Sequence, residues 1–267
     1  MLRDAMRCGI TYIQPSTHQE AMRWLRTMVL FDKGNVMNEP GWDALHSSYV
    51  RSIQAIENPR GTGSFTIRER TPIPRQGREQ QKFERNGVVS IKKQFYDHLT
   101  TVEGWQKEEG LDFGQGREDL EVPLTLYPSR EPYREPLGTN FGPFDFATVG
   151  PGGIKTVIEW ETGNVSSSHR SINKLCVCLN AGIVAAGVVI VPSRPLYRHL
   201  TDRIGNIDEL SGYLSLWQSM EARVARGLLA ITVVEHDALT TDLNFPLLDR
   251  GNDGRAEEGR RRLLDPE

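Results

Sequence analysis

The chain has 267 residues, with 38% hydrophobic and 25% charged side chains and a formal net charge of −3. This composition excludes a disordered chain and leaves room for a sizeable buried core. It also excludes a chain basic throughout, so any surface for a polyanion must be local, with acids collected elsewhere.

In chain order, "MLRDAMRCGITYIQPS" lacks the apolar run of a secretory signal, and no apolar stretch reaches the roughly 18 residues of a membrane span. Cys8, Cys176 and Cys178 show no metal-type spacing, which makes a reducing cytoplasm the expected compartment, and without a spanning stretch no membrane partner is expected. "STHQEAMRWLRTMVLF" offers a Ser/Thr cap and then Met22, Leu25 and Val29 at helical spacing, which predicts a helix. "GWDALHSSYVRSIQAI" predicts a second, with Trp42, Leu45, Tyr49 and Ile53 as its stripe. "FTIRERTPIPRQGREQQKFERNG" is a polar arm with more basic than acidic residues. "VVSIKKQFYDHLTTVEGWQKEEG" reads as one further helix ending in Glu108 and Glu109, and residues 113–141, rich in Pro and Gly, read as a surface insertion.

"PFDF" and "KTVIEWE" predict two strands joined by the glycines of "ATVGPGG", and a helix then runs to about Asn180. The apolar run 183–192 predicts a buried strand. A short helix "RPLYRHLTDR", a longer one "IDELSGYLSLWQSMEARVA", the strand "LLAITVVEHD" and a loop-like tail from Asn244 follow. Strands alternating with helices predict an α/β fold, a mixed β-sheet flanked by helices, as a single domain over 1–267 with a helical N-terminal part to about residue 44.

The chemistry gathers at "VIEWETGNVSSSHRSINKL". Residues two apart on a strand share a face, so Glu159 and Glu161 project together while Trp160 faces away, and Asp145 can pair beside them across the hairpin. Two glutamates at this spacing are in most strands a solvated face. Three converging carboxylates, however, raise one another's pKa and call for a cation, and oxygen-only ligands suit Mg²⁺ and hence phosphate chemistry. Asn164 is suited to cap the next helix, whose first N–H groups face an anion. Ser166, Ser167, Ser168, Arg170 and Lys174 are expected on its exposed side, with Val165, Ile172, Leu175 and Leu179 buried. Arg194, Arg198 and Arg203 stand against Asp202, and short polar side chains with arginines near a helix start are suited to major-groove readout. The combination favours a nuclease; intact Asp145, Glu159 and Glu161 argue against a sequence-specific DNA-binding protein without cleavage, and the Asn164–Arg170 helix argues against a structure-specific repair nuclease.

"IEWETGNVSSSHRSINKL" resembles the core of the BamHI-like type II restriction endonucleases, within the PD-(D/E)xK nuclease superfamily. The likeness continues through "LYRHLTDRIGNIDEL", "NFPLLDRGNDG", "FTI" and "NGVVSIKKQFYDHL", and covers most of the chain from about residue 45, leaving out 113–141. It implies a homodimer that clamps double-stranded DNA at a palindrome and cuts both strands with Mg²⁺, Mn²⁺ being a substitute, alongside a cognate methyltransferase acting on the same site. By this resemblance Asp145, Glu159 and the outlying Glu108 are the metal-binding acids, with Glu109 the alternative to Glu108, and Glu161 completes the catalytic set where most of the superfamily has Lys. The base-reading positions fall on Asn164, Ser166, Arg170, Asp202 and Arg203, with Asp253 a minor-groove contact and Lys92 a contact at the outer part of the site. Those residue types all match, which implies a GGATCC-like target. The chain departs from the family in its N-terminus, in the insertion before Asp145 and in a shorter Asp145-to-Glu159 connection.

Overall fold

The structure, a computed structural model, describes residues 11–13, 21–74, 82–109, 124–132, 142–201 and 204–249. Among them, one mixed sheet carries seven strands in the order β1-β2-β10-β9-β8-β7-β6. These are β1 (Thr11–Ile13), β2 (Arg23–Lys33), β6 (Gln106–Glu109), β7 (Phe144–Val149), β8 (Lys155–Trp160), β9 (Ala186–Pro192) and β10 (Gly227–Glu235). The three strands β8, β9 and β10 run parallel, and antiparallel strands extend the sheet on either side. β9 and β10 are buried at every position, which is why "AGVVIVP" and "GLLAITVVE" read as nearly unbroken apolar runs.

Helices cover both faces. On one lie α1 (Pro40–Gln54) and α2 (Val89–Thr101), anchored by Trp42, Leu45, Tyr49 and Ile53 and by Ile91, Phe95 and Leu99. On the other lies α3 (Val165–Asn180), anchored by Ile172, Leu175 and Leu179. Between β9 and β10 come short helical turns: α4 (Arg194–Tyr197), α5 (Ile207–Leu210) and α6 (Leu214–Ser219). The polar arm contributes β3 (Thr66–Arg68), which pairs with β11 (Ala238–Thr240), and a small hairpin of β4 (Thr71–Pro72) and β5 (Phe83–Glu84). Residues 124–132 of the insertion are exposed throughout.

Three expectations are corrected. Residues 23–33 are strand, not helix, and lie inside the sheet between β1 and β10. The Met22, Leu25 and Val29 spacing fits a helix, but Thr27–Phe31 is buried on both faces, and an apolar run of that kind carries no decisive period. The helix carrying Lys92 stops at Thr101, and after Gly104, at φ 75°, the chain enters β6, so Glu108 and Glu109 lie on a strand. The long helix expected from Ile207 is instead α5, a 3-10 turn at Ser211–Tyr213 that contains Gly212, then α6 and a second 3-10 turn at Met220–Arg223.

Candidate active site

The sheet sets the acids in a row. The β6–β7 ladder pairs Lys107 with Phe146 and Glu109 with Phe144, which places Glu108 opposite Asp145 in register. The β7–β8 ladder pairs Phe146 with Ile158, and one step further along it Asp145 comes beside Glu159. Glu161 lies just past β8, where its N–H still bonds Ile190 O at 3.1 Å. Trp160 packs on the opposite side against Phe95, ring centroids 4.6 Å apart. Its N–H donates to Asp145 Oδ2 at 2.9 Å, so the backbone of one strand fixes the carboxylate of the other.

Two lysines reach these acids from opposite faces of the sheet. From α2, Lys92 Nζ lies 2.8 and 2.9 Å from the two oxygens of Asp145. From α3, Lys174 Nζ donates to Glu159 Oε1 at 2.8 Å and to Pro143 O at 2.8 Å, and lies 3.7 Å from the centroid of Phe144. Among the described residues Glu161 is held by serines rather than by a lysine hydrogen bond; Ser168 Oγ donates to Oε2 at 3.1 Å and Ser171 Oγ to Oε1 at 2.5 Å. The expected exposed side of α3 is therefore corrected: Ser168 and Lys174 are buried, at 0% and 3% exposure. The signal was in the spacing, since Ser171, Lys174 and Cys178 recur at i, i+3 and i+7, in step with the apolar stripe.

Burial pushes the Glu159 carboxyl up to about 7; Asp145 beside it adds to the rise and Lys174 opposes it. Burial also raises Glu161, against the opposing hydrogen bonds of Ser171 and Ser168. The three acids thus do not form one bare cluster. Among the described residues no three His, Cys, Asp or Glu side chains are gathered to hold a metal on their own. The donor set nonetheless fits Mg²⁺, which is held through one or two carboxylates with water and substrate phosphate completing its shell. Asp145 and Glu159 are two hard oxygen donors on adjacent strands, already drawn to cations.

The candidate readout face adjoins this row. Asn164 caps α3 by accepting from Ser167 N–H at 3.1 Å, and Asn164, Ser166 and Arg170 are all exposed. Asn164 also bridges Ile204, and Gly205 N–H bonds Gly163 O at 3.2 Å, tying the chain after α4 to the start of α3. The other end of that segment is held by Asn86, fully buried, whose N–H bonds His199 O at 2.8 Å and whose side chain bonds Arg68 O and His199 O. Asp202, Arg203 and Asp253 lie outside the described residues, and the side chain of Glu108 does as well. Arg194 meets Glu209 at 3.5 Å rather than standing against Asp202 alone.

The sequence profile described as restriction endonuclease BamHI matches residues 22–255. The chain belongs to the BamHI restriction endonuclease family. The type II restriction enzyme OkrAI of Oceanobacter kriegii is 35% identical over 235 residues, covering 88% of this chain and 99% of that relative. The type II restriction enzyme BamHI of Bacillus amyloliquefaciens is 28% identical over 180 residues, covering 67% of this chain and 72% of its own length. A crystal structure of restriction endonuclease BglII complexed with a DNA 16-mer aligns with a TM-score of 0.46 at 8% identity, over 78% of this chain and 79% of that one. The BamHI family match begins at residue 22, so β2, which the sequence likeness from about residue 45 had left out, belongs to the family region. The class of this family is that of type II restriction enzymes, which are site-specific deoxyribonucleases. Among the described residues no helix is long and apolar enough to cross a membrane.

Proposed function

We propose that the chain is a cytoplasmic, Mg²⁺-dependent type II restriction endonuclease, a single domain that cuts both strands of a GGATCC-like palindrome. The observation that carries this reading is the β8–α3 corner: the acidic row of Asp145 and Glu159 lies on one side of it and the exposed Asn164, Ser166 and Arg170 on the other. A two-fold palindrome calls for a homodimer, each protomer reading one half-site. A methyltransferase acting on the same sequence, without being bound, would protect the host's own DNA.

In this reading Asp145 and Glu159 hold the cation, and the register of β6 favours Glu108 over Glu109 as the outlying acid. When bound, Mg²⁺, or Mn²⁺ in its place, supplies a Lewis acid at the phosphoryl oxygen and lowers the pKa of a bound water. Glu161 is the general base: buried and raised in pKa, it takes the proton of the attacking water. Ser168 and Ser171 hold its two oxygens in place until then. The water's oxygen bonds to phosphorus as the bond to the 3′ oxygen breaks, and the leaving oxygen takes a proton from solvent water, giving a 5′-phosphate and a 3′-hydroxyl. Asn164, Ser166, Arg170, Asp202 and Arg203 read base edges in the major groove, and Asp253 contacts the minor groove.

The test is a digest of unmethylated phage-length DNA with Mg²⁺, beside Ca²⁺ and Asp145→Asn controls. Discrete fragments ending at GGATCC, absent with Asp145→Asn, are expected. Discrete fragments at another sequence would keep the chemistry and refute the reading residues, and full activity of Asp145→Asn would refute the metal site.

A further inference from the structure

Lys92 and Lys174 differ in how firmly they are held. Lys174 is enclosed, its side chain 4% exposed, with a carbonyl, a carboxylate and an aromatic ring around its ammonium. Lys92 is 32% exposed, and among the described residues its ammonium has Asp145 as its hydrogen-bonding partner. The rest of α2 is anchored through Ile91 and Phe95, so the lysine's four-carbon stem can swing without moving the helix. Asp145 itself is held by the Trp160 N–H, so of the two it is the lysine that can leave. Beside it runs an open groove of about 200 Å³ lined by Val88, Val89, Lys92, Lys93, Tyr96 and Thr162, which leaves room for the lysine stem to move.

A single ammonium that spans both oxygens of Asp145 occupies the directions from which a divalent ion would approach that carboxylate. The two cations compete for one ligand and repel each other, so one leaves as the other enters. We propose that Lys92 is a built-in counter-cation of the candidate metal site, displaced from Asp145 when a divalent ion binds and drawn toward phosphate when duplex DNA binds. Each ligand then raises the affinity for the other, because both favour the arrangement in which Lys92 has left the carboxylate, and such coupling is necessarily reciprocal. Without either ligand the protein keeps Asp145 neutralised by its own Lys92. The inference rests on reading Asp145 as a metal ligand and Lys92 as a DNA contact.

The test is calorimetric titration of Ca²⁺ into the full chain, Lys92→Met, Lys92→Gln and Asp145→Asn, each alone and with a GGATCC duplex. Without DNA, both Lys92 variants are expected to bind Ca²⁺ roughly tenfold more tightly than the parent, within the range of site-to-site coupling. The gain in Ca²⁺ affinity that DNA gives the parent shrinks in both, and Asp145→Asn loses the binding. Lys92 variants that bind no more tightly than the parent, including no detectable binding by any chain, overturn the proposal. If Asp145→Asn binds as well as the parent, the metal-ligand reading fails and this inference with it. Loss of binding in Asp145→Asn with parent-like Lys92 variants leaves that reading standing and refutes this inference alone.

Discussion

Lys174 Nζ on α3 and Glu159 Oε1 on β8 stand 2.8 Å apart with side chains only 4% and 11% exposed. Burying such a pair costs desolvation that its attraction repays only when every other hydrogen-bonding position is satisfied. Here it is repaid by Pro143 O and by the face of Phe144, which also locks the entry to β7, and hence Asp145, against β8. Removing one partner leaves an uncompensated charge. Lys174→Met is expected to lose about 3–5 kcal/mol of stability at about pH 8. Glu159 is already raised to about 7 with Lys174 present, and without it the carboxyl rises further. A raised carboxyl favours the protonated folded state, so the deficit shrinks as pH falls. Urea unfolding at two pH values checks this, with Lys174→Met/Glu159→Gln expected to recover most of the loss. A single variant as stable as the parent at high pH would refute it.

His46 imposes a pH dependence of the opposite sign. It is 7% exposed, ringed by Trp24, Trp42 and Tyr49, with Nε2 3.0 Å from Thr27 Oγ1. Burial lowers its pKa from 6.5 to about 4, so the folded protein keeps it neutral while the unfolded chain takes up a proton. Its contribution is fully present above about pH 6.5 and is lost as pH falls toward 4, on the order of 3 kcal/mol in all. The denaturation midpoint of the parent should therefore fall more steeply over that window than that of His46→Gln. Parallel pH curves for the two proteins would remove His46 as the cause.

What could be read ahead of the coordinates follows the physics of each signal. The β7–β8 hairpin and α3 were legible because turn glycines, an Asn cap and strong periodicities mark them within a few residues. β2 was not, because its residues divide between the two core clusters on either face of the sheet, Trp24 and Val29 in one and Met28, Leu30 and Phe31 in the other, and this leaves only a generic apolar run. Asp145, Glu159 and Glu161 were legible as residue types in a pattern. Their partners were not: Lys174 and Ser168 look like ordinary helix-surface residues until α3 is docked on the sheet. Asn86 is legible least of all, since its bonds join segments more than a hundred residues apart.

Gly205 is required by close approach rather than by its backbone angles. A Cβ there would lie 2.1 Å from Ser168 Oγ and 2.9 Å from Ser168 Cβ. Since Ser168 Oγ donates to Glu161 Oε2, the clash is transmitted directly to the candidate general base. Gly205→Ala is expected to cost about 1–3 kcal/mol, the usual range for overpacking, and to lower the cleavage rate more than Ser168→Ala alone. The double variant should regain part of the stability, because it removes the nearest atom. Thermal melts and single-turnover rates of the three variants decide it, and a Gly205→Ala protein indistinguishable from the parent would show that the segment yields freely.

Arg170 is the sharpest test of the readout face. It is exposed one helical turn beyond Ser166, on the helix that Asn164 caps. A guanidinium that reads guanine contributes about 1–3 kcal/mol of discrimination against the wrong base, whereas one that meets phosphate weakens binding to every sequence alike. In an Asp145→Asn background, which separates binding from cleavage, Arg170→Ala should weaken binding to a GGATCC duplex. It should also narrow the gap between that duplex and those with one base pair changed. Equal losses on all duplexes would make Arg170 a backbone contact. A narrowed gap at a single base pair would identify the base it reads, and the two-fold related pair should respond in the same way if two protomers share the site.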